Sequence, residues 1–194
     1  MTHVAFDVRR AALGTRVLAV VLGAVLVALA AQVSVPLPGT PVPMTLQPMA
    51  VLLVGGLLGA PLGALSMILY LAMGAAGLPV FTPTVPLLGI ARLFGPTGGY
   101  LLAYPVAAWA VGALVTPGRG PGVGLPWMVR VSLGVLAGLV LIHLGGLAQL
   151  LILTGNLSAA ARFGTVPFLL GDLLKIAVLV PVLAKLTPTI RARL

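Results

Sequence analysis

Asp172 and Lys175 are the two residues whose types and spacing most directly suggest chemistry. They lie three positions apart in a long apolar stretch, and Asp172 is one of only 2 acidic residues in the chain. A charge at the centre of a membrane-spanning helix costs about 2.5–3.5 kcal/mol on insertion scales. Side chains at this spacing share one helix face, where they can pair and bind a polar ligand. The pair predicts a binding site about six residues, or ~9 Å, into its helix and just beneath the outer surface.

An ion pair at the outer membrane interface is the alternative interpretation of the same two residues. In that case Lys175 would extend its charged end to the lipid headgroups. We favour the binding site, because an ion pair alone does not explain why apolar residues do not stand there instead.

The other polar residues of the apolar stretches are few. Thr45 and Gln47 open a helix and could contact a ligand, but equally Thr45 could cap that helix while a neighbour satisfies Gln47. We expect His143 to form an interhelical hydrogen bond rather than to bind a metal, because the only other histidine is His3 in the N-terminal tail. Tyr100 and Tyr104 could be aromatic residues of the membrane interface. The sequence predicts no catalytic set and no metal site.

Composition places the whole chain in a membrane. Hydrophobic residues make up 60% and charged residues 7% of its 194 residues, against about 25% charged residues in soluble domains. Between Arg16 and Arg92 no charged side chain occurs. The net charge of +9 does not indicate a nucleic-acid-binding protein, because the cations stand singly at segment ends. With 0 cysteines, disulfides and thiolate catalysis are excluded. A cleaved signal peptide is not expected, because apolar stretches continue to the C-terminus.

The pattern of apolar stretches predicts an all-α membrane protein. A spanning helix needs about 20 apolar residues, and proline and glycine clusters separate the candidates. We predict one transmembrane domain over residues 1–194 with six spans, at about 17–33, 45–58, 61–76, 97–115, 126–147 and 166–186.

The cations set the expected orientation. Arg92 and Arg162 fall on one side of these spans, and eight others fall on the opposite side: Arg9, Arg10, Arg16, Arg119, Arg130, Lys185, Arg191 and Arg193. Because cytoplasmic loops carry the excess of Lys and Arg, both termini are expected to face the cytoplasm.

Small residues in the first span suggest a helix contact. Ala24 and Ala28 form one small-xxx-small pair, and Ala19 and Gly23 form another, so a second helix could approach closely. No P-loop sequence occurs, so energised transport would need another subunit.

Five segments together resemble the BioY family, the biotin-specific substrate-binding subunit (S component) of energy-coupling factor (ECF) transporters. They are 40–47 (TPVPMTLQ), 57–66 (LLGAPLGALS), 77–81 (GLPVF), 94–101 (FGPTGGYL) and 167–175 (PFLLGDLLK). The resemblance implies a six-helix S component in the cell membrane that binds biotin near its outer face. It also implies partnership with a transmembrane T subunit and two ABC-type ATPases, with small residues of the first helix as the docking surface. No cofactor is implied.

The same resemblance implies that Asp172 and Lys175 bind the polar groups of biotin. Asp172 can accept the N–H groups of the ureido ring, and Lys175 can bind a carbonyl or the carboxylate, but which end meets which residue stays open. The apolar rings and chain would contact side chains such as Phe81, Tyr70 and Tyr100.

Two departures from the family pattern affect the expected site. Residues 82–89 (TPTVPLLG) replace a glycine-rich stretch that often carries a polar contact, so we expect Thr84 or Arg92 to replace a loop amide. Leu170 stands where a proline is common. Other functions remain open: an S component for another vitamin such as thiamin or riboflavin, a solitary small-solute carrier, or a channel. An intramembrane enzyme is disfavoured by the scarcity of other ionisable groups in the spans.

Overall fold

The computed structural model describes residues 2–116 and 124–194, with side chains from residue 13 onward. Helices dominate these ranges, and the one sheet is a short antiparallel hairpin that pairs Ser34 with Thr45 and Val35 with Met44. The α-helices are α1 Thr2–Gln32, α2 Gln47–Leu58, α3 Ala60–Ala75, α4 Gly98–Leu114, α5 Trp127–Thr154, α6 Leu157–Gly164 and α7 Leu169–Arg191. The strands are β1 Ser34–Val35 and β2 Met44–Thr45, and 3₁₀ turns cover Gly89–Phe94 and Val166–Phe168.

The predicted all-α class is confirmed, and a helix covers most of each predicted span. The helix α5 runs on to Thr154, and α6 is an additional helix of 8 residues in a connection that we predicted to be a loop. Three stretches are long and apolar enough to cross a membrane: Leu13–Gln32, Trp127–Thr154 and Leu157–Arg191. The helices α2, α3 and α4 are apolar but shorter. Six crossings and cytoplasmic termini therefore stay predictions, and Arg119, which we used to orient the chain, lies outside the described residues.

The predicted spans 45–58 and 61–76 leave only residues 59 and 60 between them, and the structure has a tight helical hairpin there. Gly59 alone separates α2 from α3, and its φ of +90° is one that glycine adopts without strain. Gly59 is the C-cap of α2, and its N–H donates to the carbonyl of Gly55 at 3.0 Å in the final turn of that helix. Pro61 follows in the first turn of α3, where a missing N–H leaves no helical hydrogen bond unmade.

Glycine allows α4 and α5 to pack at very short range. A Cβ atom on Gly99 would collide with the carbonyl oxygen of Gly145, and a Cβ atom on Gly145 would collide with that of Gly99. The neighbouring residues Tyr100 of α4 and His143 of α5 have their ring centroids 6.4 Å apart. This crossing therefore fixes the distance between two aromatic side chains that face one cavity.

Gly145→Val is expected to destabilise the protein and to weaken ligand binding. Its new Cβ would lie against the carbonyl oxygen of Gly99 and 2.7 Å from Ala103 Cβ, both on α4, and such overpacking typically costs about 1–3 kcal/mol. Thermal unfolding of the purified protein measures the effect. Gly14→Val is the matched control, because nothing lies within 4 Å of a Cβ at that exposed helical position. Equal melting temperatures for the two variants would contradict the expectation.

The small residues of α1 mainly serve a contact inside the chain. Gly23 and Ala24 are buried, and a Cβ on Gly23 would lie 2.6 Å from Ser66 Oγ on α3 and 2.9 Å from Val54 on α2. Gly23 and Ala24 are therefore not accessible to a partner protein in this conformation. Ala19 and Ala28 are half-buried, and docking there stays a prediction.

The first turns of α2, α4 and α7 meet at one end of the bundle, and their last turns meet at the other. At the far end, the Arg191 guanidinium of α7 donates to the carbonyls of Gly56 on α2 and Gly112 on α4. At the near end, Gln47, Thr97 and the first turn of α7 line one cavity. The positive ends of three helix dipoles therefore point toward that cavity, which favours an anionic ligand there.

Candidate functional site

The cavity lies where α2, α4 and α7 begin, and α5 and the loop that precedes α4 complete its walls. It encloses about 600 Å³ of space between protein atoms, including its open mouth. Seven of the nine predicted ligand contacts line it: Thr45, Gln47, Phe81, Arg92, Tyr100, Asp172 and Lys175. Tyr70 and Thr84 are not among its lining residues.

Asp172 is the centre of a buried ionic cluster. Its Oδ1 accepts a hydrogen bond from Lys175 Nζ at 2.8 Å, and its Oδ2 lies 2.5 Å from His143 Nε2. Both charged side chains are only 9% exposed. Asp172 stands in the first turn of α7, where the helix dipole stabilises a carboxylate. Asp172 and Lys175 neutralise each other at this distance, which reduces the free-energy cost of burying the two charges.

His143 brings α5 into this cluster, and its role as an interhelical hydrogen-bonding residue is confirmed. The bond to Asp172 joins residues 29 positions apart in the sequence. The same ring packs against Phe168, with centroids 6.4 Å apart, and lines the cavity. The cluster therefore has three ionisable members, one more than the i, i+3 spacing alone predicts.

Thr45 and Gln47 are bonded to their neighbours, and they also face the cavity. Thr45 Oγ1 accepts the N–H of Gln47 at 3.3 Å, while Leu46 takes the N-cap position of α2. The amide of Gln47 donates to the hydroxyl of Tyr70, which donates in turn to the carbonyl of Val80 at 3.2 Å. Thr45 is therefore not the N-cap of α2, Gln47 is satisfied by its neighbour Tyr70, and a ligand contact by either residue stays a prediction.

Tyr70 supports the wall from behind. Its ring stacks on Tyr104 with centroids 6.4 Å apart and meets the edge of Phe81 at 5.4 Å. Tyr104 and Phe81 line the cavity, whereas Tyr70 does not. Tyr70 would therefore affect a ligand only indirectly, by positioning these two rings and the side chain of Gln47.

Arg92 folds the loop that precedes α4. Its side chain is 1% exposed, and its two terminal nitrogens donate to the carbonyls of Thr82 at 2.6 Å, Leu87 at 3.2 Å and Val85. Burial lowers the pKa of this guanidinium from its ordinary value. Thr84 hydrogen-bonds with Thr82 through their hydroxyls at 3.1 Å. Of the two residues expected to replace a loop amide, Arg92 reaches the cavity and Thr84 does not.

The α4 wall contains Tyr100, which we predicted as a ligand contact, and two residues that we did not predict as contacts. Thr97, Tyr100 and Tyr104 all line the cavity at positions i, i+3 and i+7, which is one face of a helix. Tyr100 is buried, and its hydroxyl donates to the carbonyl of Gly164 on the far side, so it is not an exposed interfacial aromatic. The helical spacing of these three polar residues is a sequence signal from which all three could have been predicted to line the cavity.

The α5 and α7 walls supply the apolar surface. Leu139, Ile142 and His143 share one face of α5 at i, i+3 and i+4, and Phe168 precedes α7. Among the residues that the structure describes, no group of three His, Cys, Asp or Glu could hold a metal ion. The arrangement suits a small molecule that combines an apolar body with hydrogen-bonding groups and a negative charge.

Comparison with known proteins identifies relatives over nearly the whole chain. The BioY family matches residues 3–192. The probable biotin transporter BioY of Pyrococcus horikoshii is 39% identical over 86% of this chain and 93% of that protein. The biotin transporter BioY of Thermotoga maritima is 35% identical over 79% of this chain and 84% of that protein.

One solved structure has a similar fold. It is a crystal structure of the S-component for biotin from an ECF-type ABC transporter, with a TM-score of 0.75 and 23% sequence identity. The match covers 89% of this chain and 90% of that one. The predicted S-component fold is confirmed.

Proposed function

Because this chain belongs to the BioY family, we propose that it is a membrane subunit that binds biotin with high affinity and mediates its uptake. It is a substrate-binding transport protein rather than an enzyme, as the named relatives are transporters. The observation that carries the proposal is the buried Asp172, held between Lys175 and His143 in a cavity with apolar walls.

The chemistry of biotin supports this assignment. Its ureido ring offers two N–H donors and one carbonyl, its rings and valeryl chain are apolar, and its carboxylate is anionic. Asp172 accepts ureido N–H groups, and Lys175 donates to a polar oxygen of the ligand. Both residues keep free hydrogen-bonding capacity for this, because a carboxylate has about four acceptor sites and an ammonium has three donors.

The remaining contacts follow from the cavity wall. Thr45, Gln47, Phe81, Arg92 and Tyr100 contact biotin directly, since they line the cavity. Tyr70 and Thr84 act from behind that wall, through Gln47 and Thr82 respectively.

Uptake requires an energising module, which we propose to be an ECF transmembrane T subunit with two ABC-type ATPases. The chain has no P-loop, so it cannot itself hold nucleotide phosphates in that way. The exposed face of α1 next to Ala19 and Ala28 is where the T subunit docks, because Gly23 and Ala24 are covered by α2 and α3. We place the protein in the cytoplasmic membrane with both termini inside, following the excess of cations on that side.

Binding of labelled biotin to the purified chain tests the proposal. We expect a dissociation constant in the nanomolar range and recovery of chemically unchanged biotin after incubation. Riboflavin and thiamin at equal concentration should fail to displace the label. Displacement by either vitamin would identify an S component of another specificity, and biotin uptake by vesicles that contain this chain alone would identify a solitary carrier.

A further inference from the structure

An apolar groove opens on the other side of the ligand cavity's wall. It encloses about 640 Å³ of space between protein atoms, including its open mouth, and the atoms exposed in its wall are apolar. One side of the groove is a stripe of α7 at positions i, i+3, i+4 and i+7: Gly171, Leu174, Lys175 and Val178. The other side is formed by the β1–β2 hairpin and the first turn of α2, including Val35, Met44 and Met49.

The packing of the helices explains why this space is left open. The helix α1 packs against α2 and α3, whereas α7 packs against α2 and α5. The end of α1 and the first turns of α7 therefore stand apart, with only the short hairpin between them. Met44 of the hairpin approaches α7 at Gly171, where a Cβ atom would lie 3.3 Å from the terminal methyl of Met44. A glycine at this position therefore keeps part of the groove free of side chain.

The groove is continuous with the surface that faces lipid. Leu174 lines it and is 68% exposed, and on the opposite side Val35 lines it and is 57% exposed. The helices α1 and α7 belong to stretches that are long and apolar enough to cross a membrane. Both rims of the groove are thus exposed apolar residues next to such stretches, so the mouth of the groove opens into the hydrocarbon of the bilayer.

The chemistry of the wall favours a neutral, flexible and apolar occupant. An apolar cavity gives water no hydrogen-bond partner and binds apolar molecules instead. The polar ends of its two polar residues are engaged elsewhere, because Lys175 Nζ donates to Asp172 and Thr45 Oγ1 accepts the N–H of Gln47. The stripe on α7 is ~10 Å long at 1.5 Å per residue, which suits a length of hydrocarbon chain. Met44 and Met49 have flexible side chains that can adapt to such a chain.

We propose that this groove is a binding site for an acyl chain of a membrane phospholipid, in the leaflet at the ligand-binding end of the bundle. Thr45 and Lys175 line both the groove and the ligand cavity, so the acyl chain lies against the far side of the wall that they form. The lipid headgroup stays outside, because the apolar wall offers it no hydrogen bond. This site goes beyond the proposed function and does not depend on which ligand the cavity binds.

Photolabelling in phosphatidylcholine vesicles tests the lipid site. The purified full chain is reconstituted with a phosphatidylcholine that carries a diazirine in one acyl chain, and the labelled residues are mapped by mass spectrometry. Met44 and Met49 line the groove and are half-buried, whereas Leu173 is 64% exposed on α7 and does not line it. We expect stronger labelling of the two methionines than of Leu173, because a retained acyl chain contacts them for longer than exchanging lipid contacts an exposed leucine. A diazirine placed in the headgroup should label neither methionine.

Leu174→Trp and Leu173→Trp are a matched pair of variants. The two leucines are neighbours with similar exposure, but only Leu174 lines the groove. Tryptophan at position 174 fills the groove, so labelling of Met44 and Met49 should be largely lost. Leu173→Trp should keep the wild-type labelling, and both variants should melt at the same temperature.

Three results would overturn the lipid site and leave the proposed function intact. They are stronger labelling of Leu173 than of the methionines, methionine labelling that persists in folded Leu174→Trp, and equal labelling of the methionines by the headgroup probe. Methionine labelling that falls as the protein-to-lipid ratio rises would instead identify a second copy of the chain as the occupant. The comparison within the wild type decides the question if Leu174→Trp does not fold. Biotin binding by the same samples tests the proposed function separately.

Discussion

Asp172→Asn is expected to lower biotin affinity by more than about a hundredfold. Asparagine cannot compensate the charge of Lys175, and its amide replaces one of the two oxygens that now bind Lys175 and His143. Truncating one partner of a buried charge pair typically costs about 2–5 kcal/mol, partly because the other charge is left unpaired. Equilibrium binding of labelled biotin to the purified variant measures the loss.

Two further variants separate loss of the site from loss of the fold. Asp172→Asn combined with Lys175→Gln removes both charges. We therefore expect the double variant to melt at a temperature closer to that of the wild type than Asp172→Asn alone does, while biotin binding stays weak. Lys185→Gln changes an exposed lysine of the same helix and should leave affinity unchanged. Wild-type affinity in the doubly substituted protein would show that the ionic pair is structural and not part of the binding site.

The sequence predicted the part of the site that depends on local geometry. Asp172 and Lys175 pair because i, i+3 spacing on a helix brings them together whatever the rest of the chain does. The third member, His143, lies on α5, and its bond to Asp172 depends on how α5 and α7 pack. We predicted an interhelical hydrogen bond for this histidine, but the spacing could not identify its partner.

The loop before α4 shows why other residues could not be placed. Arg92 donates to three carbonyls of residues 82–87 and so decides which side chains of that loop turn inward. Thr82 faces the cavity and Thr84 does not, although the two threonines stand two positions apart with the same side chain. Irregular backbone has no fixed period, so spacing alone gives no rule for such a loop.

The helix α6 was missed although a signal for it is present. Asn156 is its N-cap, and the side-chain oxygen accepts the N–H of Ala159 at 3.1 Å. Asparagine at that position followed by helix-forming residues predicts a helix start. The predicted spans left this segment as a connection, because it is rich in turn-forming residues. Gly155 is in fact the C-cap of α5, and Gly164 is the last residue of α6.

The end of the bundle away from the site depends on Arg191. Its guanidinium donates to the carbonyl of Gly56 at 2.7 and 3.1 Å, to that of Gly112 at 2.9 Å and to the hydroxyl of Thr116 at 2.6 Å. These groups belong to the last turns of α2 and α4 and to the residues just after α4. One cation of α7 therefore satisfies the carbonyl ends of two other helices, where the helix dipole also favours positive charge.

Arg191→Met is expected to lower the free energy of unfolding by about 3 kcal/mol and to change biotin affinity less than about threefold. Methionine keeps an unbranched apolar stem but removes the guanidinium donors of the Gly56 carbonyl, the Gly112 carbonyl and the Thr116 hydroxyl, although Thr116 still donates to Gly112. Each hydrogen bond to a charged group contributes about 1.5–3 kcal/mol, not additively. Thermal unfolding and biotin binding of the same sample measure both effects. Arg193→Met is the matched control, because that side chain is exposed two residues further on and should melt like the wild type. A loss of affinity as large as that of Asp172→Asn would show that the two ends of the bundle are coupled, contrary to this expectation.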